Sequence, residues 1–111
     1  MPTYRYHWTP RANLSSIAAT GLDPQFAGKR KRVVWTAGES RILWACQHVA
    51  HTHQVSHDDL VLLRIRVDGL DGTRTSWPDV LVYGKRIPAS RISGVRLSAL
   101  AGWTSIKAHR V

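Results

Sequence analysis

The chain has 111 residues, of which 43% are apolar, enough for one compact domain with its own core rather than two. Lys and Arg outnumber Asp and Glu by 16 to 7, a net charge of +9, which points to a polyanionic partner: a nucleic acid or an acidic protein surface. Apolar runs fall short of the ~18 residues a membrane span needs. No basic stretch leads into a signal-peptide core, and the single Cys46 excludes an internal disulfide and a cysteine-rich zinc site, so a reducing, cytoplasmic setting is the expectation.

Thr3-Tyr4-Arg5-Tyr6-His7-Trp8 alternates in character and is rich in aromatics, which predicts a first strand. Thr9 and Pro10 are expected to stop it, Thr9 as a cap and Pro10 at the first helical position. Leu14, Ile17 and Ala18 recur at helical spacing, and Gly21 suits the residue just past a helix end. Residues 23–32 read as a loop that carries the basic run Lys29-Arg30-Lys31-Arg32. Val33-Val34-Trp35-Thr36 predicts a short strand. Glu39 opens a second helix with Ile42, Leu43, Cys46, Val49 and Ala50 on its apolar side. Cys46 there reads as a small buried hydrophobe.

That helix is expected to decay near His51, His53 and His57. Four histidines, His48 among them, fit either a solvated helix end or a metal site; with no cysteine or carboxylate at firm spacing except Asp58 and Asp59, no metal is assigned. Leu60 to Val67 alternates cleanly, with Leu63, Ile65 and Val67 on one side and Arg64 and Arg66 on the other. Turns follow at Asp68-Gly69 and Asp71-Gly72, then strands over Asp79–Tyr83 and Ile92–Leu97. Roughly four to six strands and two helices, both helices early, predict an α+β domain over residues 1–97, with 98–111 a tail or short terminal element.

Several residues stand out for chemistry. His7 reads either as a packed structural histidine or as a ligand-facing ring, and Trp35 either as core or as a stacking surface with the Thr36 hydroxyl beside it. Asp79 interrupts an apolar stretch, so it needs a partner such as Arg64, Arg66 or Arg86, or a catalytic role. Trp44, Trp77 and Trp103 read as core or rim packing, with base stacking as the use of an exposed one.

The order Tyr6-His7-Trp8-Thr9, Asn13-Leu14-Ser15-Ser16-Ile17 and Gly21-Leu22-Asp23-Pro24 resembles the opening of ADP-ribosyltransferase-fold proteins. Val33-Val34-Trp35-Thr36 is similar to the family's second motif. Asp79-Val80-Leu81-Val82, with Ile87-Pro88 and Ile92, is similar to its third. The resemblance implies a split, mostly antiparallel β core that binds NAD. It assigns a ribose hydroxyl to His7 and the nicotinamide carboxamide to the backbone of Trp8 or Thr9. Stacking falls to Trp35 with Thr36 beside it, and the catalytic carboxylate to Asp79. Trp35 stands where Tyr is usual and Asp79 where Glu is usual. The implied activity is transfer of ADP-ribose from NAD to a macromolecular acceptor; the small size and the lack of a secretion signal fit a bacterial or phage cytosolic effector. The alternatives are a catalytically silent NAD- or nucleotide-binding or protein-interaction module of the same fold, the RNA 2′-phosphotransferase branch, and a basic nucleic-acid-binding protein unrelated to NAD.

Overall fold

The computed structural model describes residues 3–24, 33–98 and 101–109. Six strands form one antiparallel sheet: β1 (Tyr4–Pro10), β2 (Val34–Ala37), β3 (Leu60–Arg66), β4 (Thr73–Arg74), β5 (Val80–Tyr83) and β6 (Ile92–Arg96), in the order β4-β5-β2-β1-β3-β6. Two α-helices, α1 (Leu14–Thr20) and α2 (Ile42–His53), complete an α+β domain. Neither described helix is long and apolar enough to cross a membrane. The basic run Lys29–Arg32 lies outside the described residues.

The central pair β1–β3 is in register from Tyr4 opposite Arg66 to Pro10 opposite Leu60. Between β1 and β2 the register is a single pair, Tyr6 opposite Ala37. The sheet therefore narrows at its middle into two halves, β4-β5-β2 and β1-β3-β6, joined at one point.

Side-chain alternation sorts the sheet into two faces. Arg5, His7 and Thr9 share a face with Ile65, Leu63 and Val61, the residues opposite them. There the main core forms, with Leu14, Ile17 and Ala18 of α1, Val95 of β6 and Ile106 near the C-terminal end. On the other face Trp8 and Leu60 meet Cys46, Val49 and Ala50 of α2. The indole of Trp8 donates to the Ile42 carbonyl (2.8 Å) and pins the start of α2 to β1.

Several local expectations change. Thr9 does not cap a helix and Pro10 does not open one: β1 runs through both, because Val61 and Leu60 continue its ladder. A 3₁₀ turn over Arg11–Asn13 then leads into α1. Gly21 does end α1, at φ 83°, and its amide bonds the Ile17 carbonyl (2.7 Å). A Cβ there would meet the Ile87 carbonyl at 2.2 Å, because Leu22 bridges to Ile87. Helix α2 continues through His51 and His53 and ends at Gln54, whose left-handed backbone returns its amide to Ala50 and His51. Strand β5 starts at Val80, leaving Asp79 in the turn before it. Beyond β6, Thr104 bridges to Val95, Ile106 is buried in the core, and a short 3₁₀ element spans Ile106–His109.

Candidate active site

Asp79 sits in the turn Trp77-Pro78-Asp79-Val80, closed by the Val80 amide on the Trp77 carbonyl (3.3 Å). Pro78 suits the second position of such a turn, and the third needs positive φ. Asp79 supplies φ 54°, a region its short polar side chain tolerates better than most. This accounts for an acid between apolar residues: the backbone at the head of β5 demands a residue of this kind.

The partner of Asp79 is none of the three arginines expected from the sequence. It is Arg5 of β1. Arg5 donates through Nη1 to Asp79 Oδ1 (3.2 Å), through Nη2 to the Asp79 carbonyl (2.8 Å), and through Nε to Thr36 Oγ1 (2.9 Å). Thr36 passes the chain on, donating to the Leu81 carbonyl (3.1 Å). The second carboxylate oxygen, Oδ2, accepts from Ser40 (3.3 Å). Gly38 donates its amide to the Asp79 carbonyl (3.0 Å) and lies so close that a Cβ would fall 1.7 Å from Oδ2. Residues from β1, β2 and the turn before β5 thus meet in one hydrogen-bonded cluster. The Arg5 side chain is 10% exposed and that of Asp79 44%.

This cluster borders a groove of about 560 Å³, lined in part by Arg5, Arg74, Thr75, Ser76, Trp77 and Asp79. Two guanidiniums, two hydroxyls, an exposed indole and a carboxylate surround it.

His7 lies two residues beyond Arg5 on the same face of β1. Its Nδ1 is 2.6 Å from the Trp35 carbonyl, across the point where β1 and β2 part. A carbonyl only accepts, so Nδ1 carries the proton and Nε2 is left as an acceptor in the neutral ring. Burial holds the His7 pKa below its usual value; the Trp35 carbonyl opposes that shift and the charge of His53 adds to it.

The remaining predicted site residues do not all converge. Thr36 is buried beside Arg5. Trp35, its neighbour on β2, therefore projects to the opposite face of the sheet, 39% exposed, away from Arg5 and Asp79. Trp77, 47% exposed, is the tryptophan that lines the groove. It meets Trp44 (5.1 Å between centroids) and His48 (6.2 Å) of α2, whose own rings stack at 5.3 Å. The Trp8 side chain is committed to α2, and Thr9 is buried opposite Val61. No group of three or more His, Cys, Asp or Glu that could hold a metal forms among the described residues.

Arg5 is the residue sequence reasoning missed, and Trp77 reads with Trp44 and Trp103 as core or rim packing, or as a base-stacking ring if exposed. Arg5 had a signal: it shares the parity of His7 and Thr9 in an alternating strand, and so belongs on the buried face. Trp77 had a weaker one, its place two residues before Asp79.

No family model, no curated protein and no solved structure matches this chain.

Proposed function

We propose that the protein is a small ADP-ribosyltransferase, which breaks the nicotinamide–ribose bond of NAD and passes ADP-ribose to a macromolecular acceptor. The observation that carries this reading is the half-exposed Asp79 carboxylate, fixed by Arg5 at the rim of a groove with a second arginine and an indole. The donor set suits a dinucleotide: cations for its pyrophosphate, a flat ring for a heterocycle, hydroxyls for its sugars. The volume lies within the ~300–1,000 Å³ usual for small-molecule sites.

Bound NAD supplies a glycosidic bond whose cleavage builds positive charge on the ribose. Asp79 stabilises that charge, held in advance by Arg5 and Ser40 so that little reorganisation is needed. Arg74 attracts the pyrophosphate. Trp77 offers the stacking surface first assigned to Trp35. His7 Nε2 accepts from a ribose hydroxyl. Past Tyr6, β1 parts from β2, which leaves the β2-facing backbone at Trp8 for a carboxamide, while the backbone of Thr9 turns toward Val61 of β3.

A catalytically silent NAD-binding module is the second reading. It is favoured by the engagement of both Asp79 carboxylate oxygens within the protein.

Nicotinamide release and calorimetric binding of NAD separate the two. Wild-type protein should release nicotinamide, and Asp79→Asn, which keeps the shape and tolerates the left-handed backbone, should be slower by ~10²–10³-fold. Saturable binding without release would leave the module, and absence of both would overturn the NAD reading altogether.

A further inference from the structure

We propose that the sheet surface formed by Tyr4, Tyr6, Arg64, Arg96 and Trp103 binds single-stranded nucleic acid. Tyr4 and Tyr6 stand opposite Arg66 and Arg64, Arg64 opposite Gly94, and Leu62 opposite Arg96. Alternation therefore puts these side chains on the face away from α1, opposite the Arg5–Asp79 cluster. On that face α2 packs at the Trp8–Leu60 end. The segment after β6 lays Trp103 across Gly94, where a Cβ would sit 2.9 Å from the indole.

The rings and guanidiniums interleave. Arg64 lies 5.2 Å from the Tyr4 ring centre and 4.6 Å from that of Trp103, and Arg96 lies 4.5 Å from Trp103. Tyr6 meets Trp103 at 6.2 Å. Arg64 is held further by the Ser93 hydroxyl (2.9 Å). Asp79 pairs with Arg5 and Asp68 with Arg66, and among the described residues no ion pair is seen at Arg64 or Arg96. The Nε of Arg96 is buried and has no hydrogen-bond partner. Tyr4 is 38% exposed at the edge of the array.

Charge complementarity selects a polyanion for this surface, and the net charge of +9 agrees. The rings narrow the choice. An acidic peptide would use the arginines and leave the flat aromatic faces idle, and a duplex keeps its base faces stacked on one another. A single strand presents phosphates and open bases together, which suits guanidiniums alternating with rings. The inference needs neither His7 nor Asp79 and stands apart from the NAD reading.

The test is fluorescence anisotropy with labelled oligothymidine and oligouridine of roughly 10 nucleotides, within the span of known single-strand sites. The full chain is titrated at several salt concentrations. Wild type should bind either strand better than a duplex or polyglutamate, and Tyr4→Ala should weaken binding about tenfold, the loss of one stacked base. The double variant Arg64→Gln, Arg96→Gln should lower the salt slope by about 1.4, two phosphate contacts on a single strand. Tyr4 is exposed at the first position of β1, so Tyr4→Ala keeps the test readable if the double variant fails to fold. NAD binding by Tyr4→Ala should equal that of wild type. Equal affinity for duplex or polyglutamate, or a folded Tyr4→Ala that binds oligonucleotide like wild type, would overturn the proposal.

Discussion

A buried guanidinium must have each donor met, and at Arg5 the acceptors are the Thr36 hydroxyl, the Asp79 carbonyl and the Asp79 carboxylate. Thr36→Val keeps the shape but strands Arg5 Nε, while the Leu81 carbonyl keeps its place opposite Thr36 in the ladder. An unsatisfied buried polar group costs about 1–3 kcal/mol, so denaturant unfolding should show a loss of that size, largely restored by Thr36→Ser. An unchanged midpoint would show that Thr36 does not hold Arg5. His7 makes a prediction in pH. Its folded pKa is depressed, chiefly by burial, so the unfolded chain takes up the proton more readily. The stability tied to the neutral ring is complete above the ordinary histidine pKa of about 6.5 and drains away as pH falls below it. His7→Gln, which still donates to the Trp35 carbonyl, should remove that part of the acid sensitivity. Identical slopes for variant and wild type would contradict it. Burial also raises the Cys46 thiol pKa, and the side chain packs under α2 against Leu60. Alkylation of Cys46 in native protein should therefore be slow and should speed up on unfolding; labelling at the same rate in both states would place the thiol at the surface.

At the scale of elements, the close contact of Gly38 with the Asp79 turn makes that glycine the joint between β2 and β5. Gly38→Ala puts a methyl into the carboxylate, and overpacking of this kind costs about 1–3 kcal/mol. Gly84, with open space around its Cβ position, is the matched control, and Gly84→Ala should be near neutral in thermal unfolding. Equal effects from the two would contradict the joint. The elements themselves were unevenly legible. Strand β3 shows itself because Leu63, Ile65 and Val67 alternate with arginines, and α2 because Ile42, Cys46, Val49 and Ala50 keep helical spacing. β4 does not, since Thr73–Arg74 is too short and polar to carry a period. The end of β1 was misplaced because Thr-Pro is a strong local helix-start signal. Pairing with Leu60 and Val61, forty or more residues on, overrides it. The site was legible where one residue broke a pattern, as Asp79 does in its apolar run. It was hidden at Arg5, one of 16 basic residues, whose importance comes from a partner 74 positions away.

Across the whole molecule, the sheet separates two chemistries. The cluster of Arg5, Thr36 and Asp79 and the ring of His7 belong to the α1 face, beside the narrow joint where Tyr6 meets Ala37. The interleaved arginines and aromatics belong to the other face. A joint of one registered pair lets β1 and β2 diverge without breaking the domain, because β1 keeps its full ladder with β3. The α+β class follows from alternation, helical spacing and the order of the elements, and the mostly antiparallel core is implied by the family resemblance. The shared site does not follow, since it depends on which face each side chain takes, and there Trp35 falls on the face away from Arg5 and Asp79. A crystal structure of the protein soaked with NAD tests the central claim most directly. The nicotinamide ribose should lie within hydrogen-bond reach of Asp79, the pyrophosphate near Arg74 and a heterocycle against Trp77. A dinucleotide bound elsewhere, with the Arg5–Asp79 cluster untouched, would contradict it.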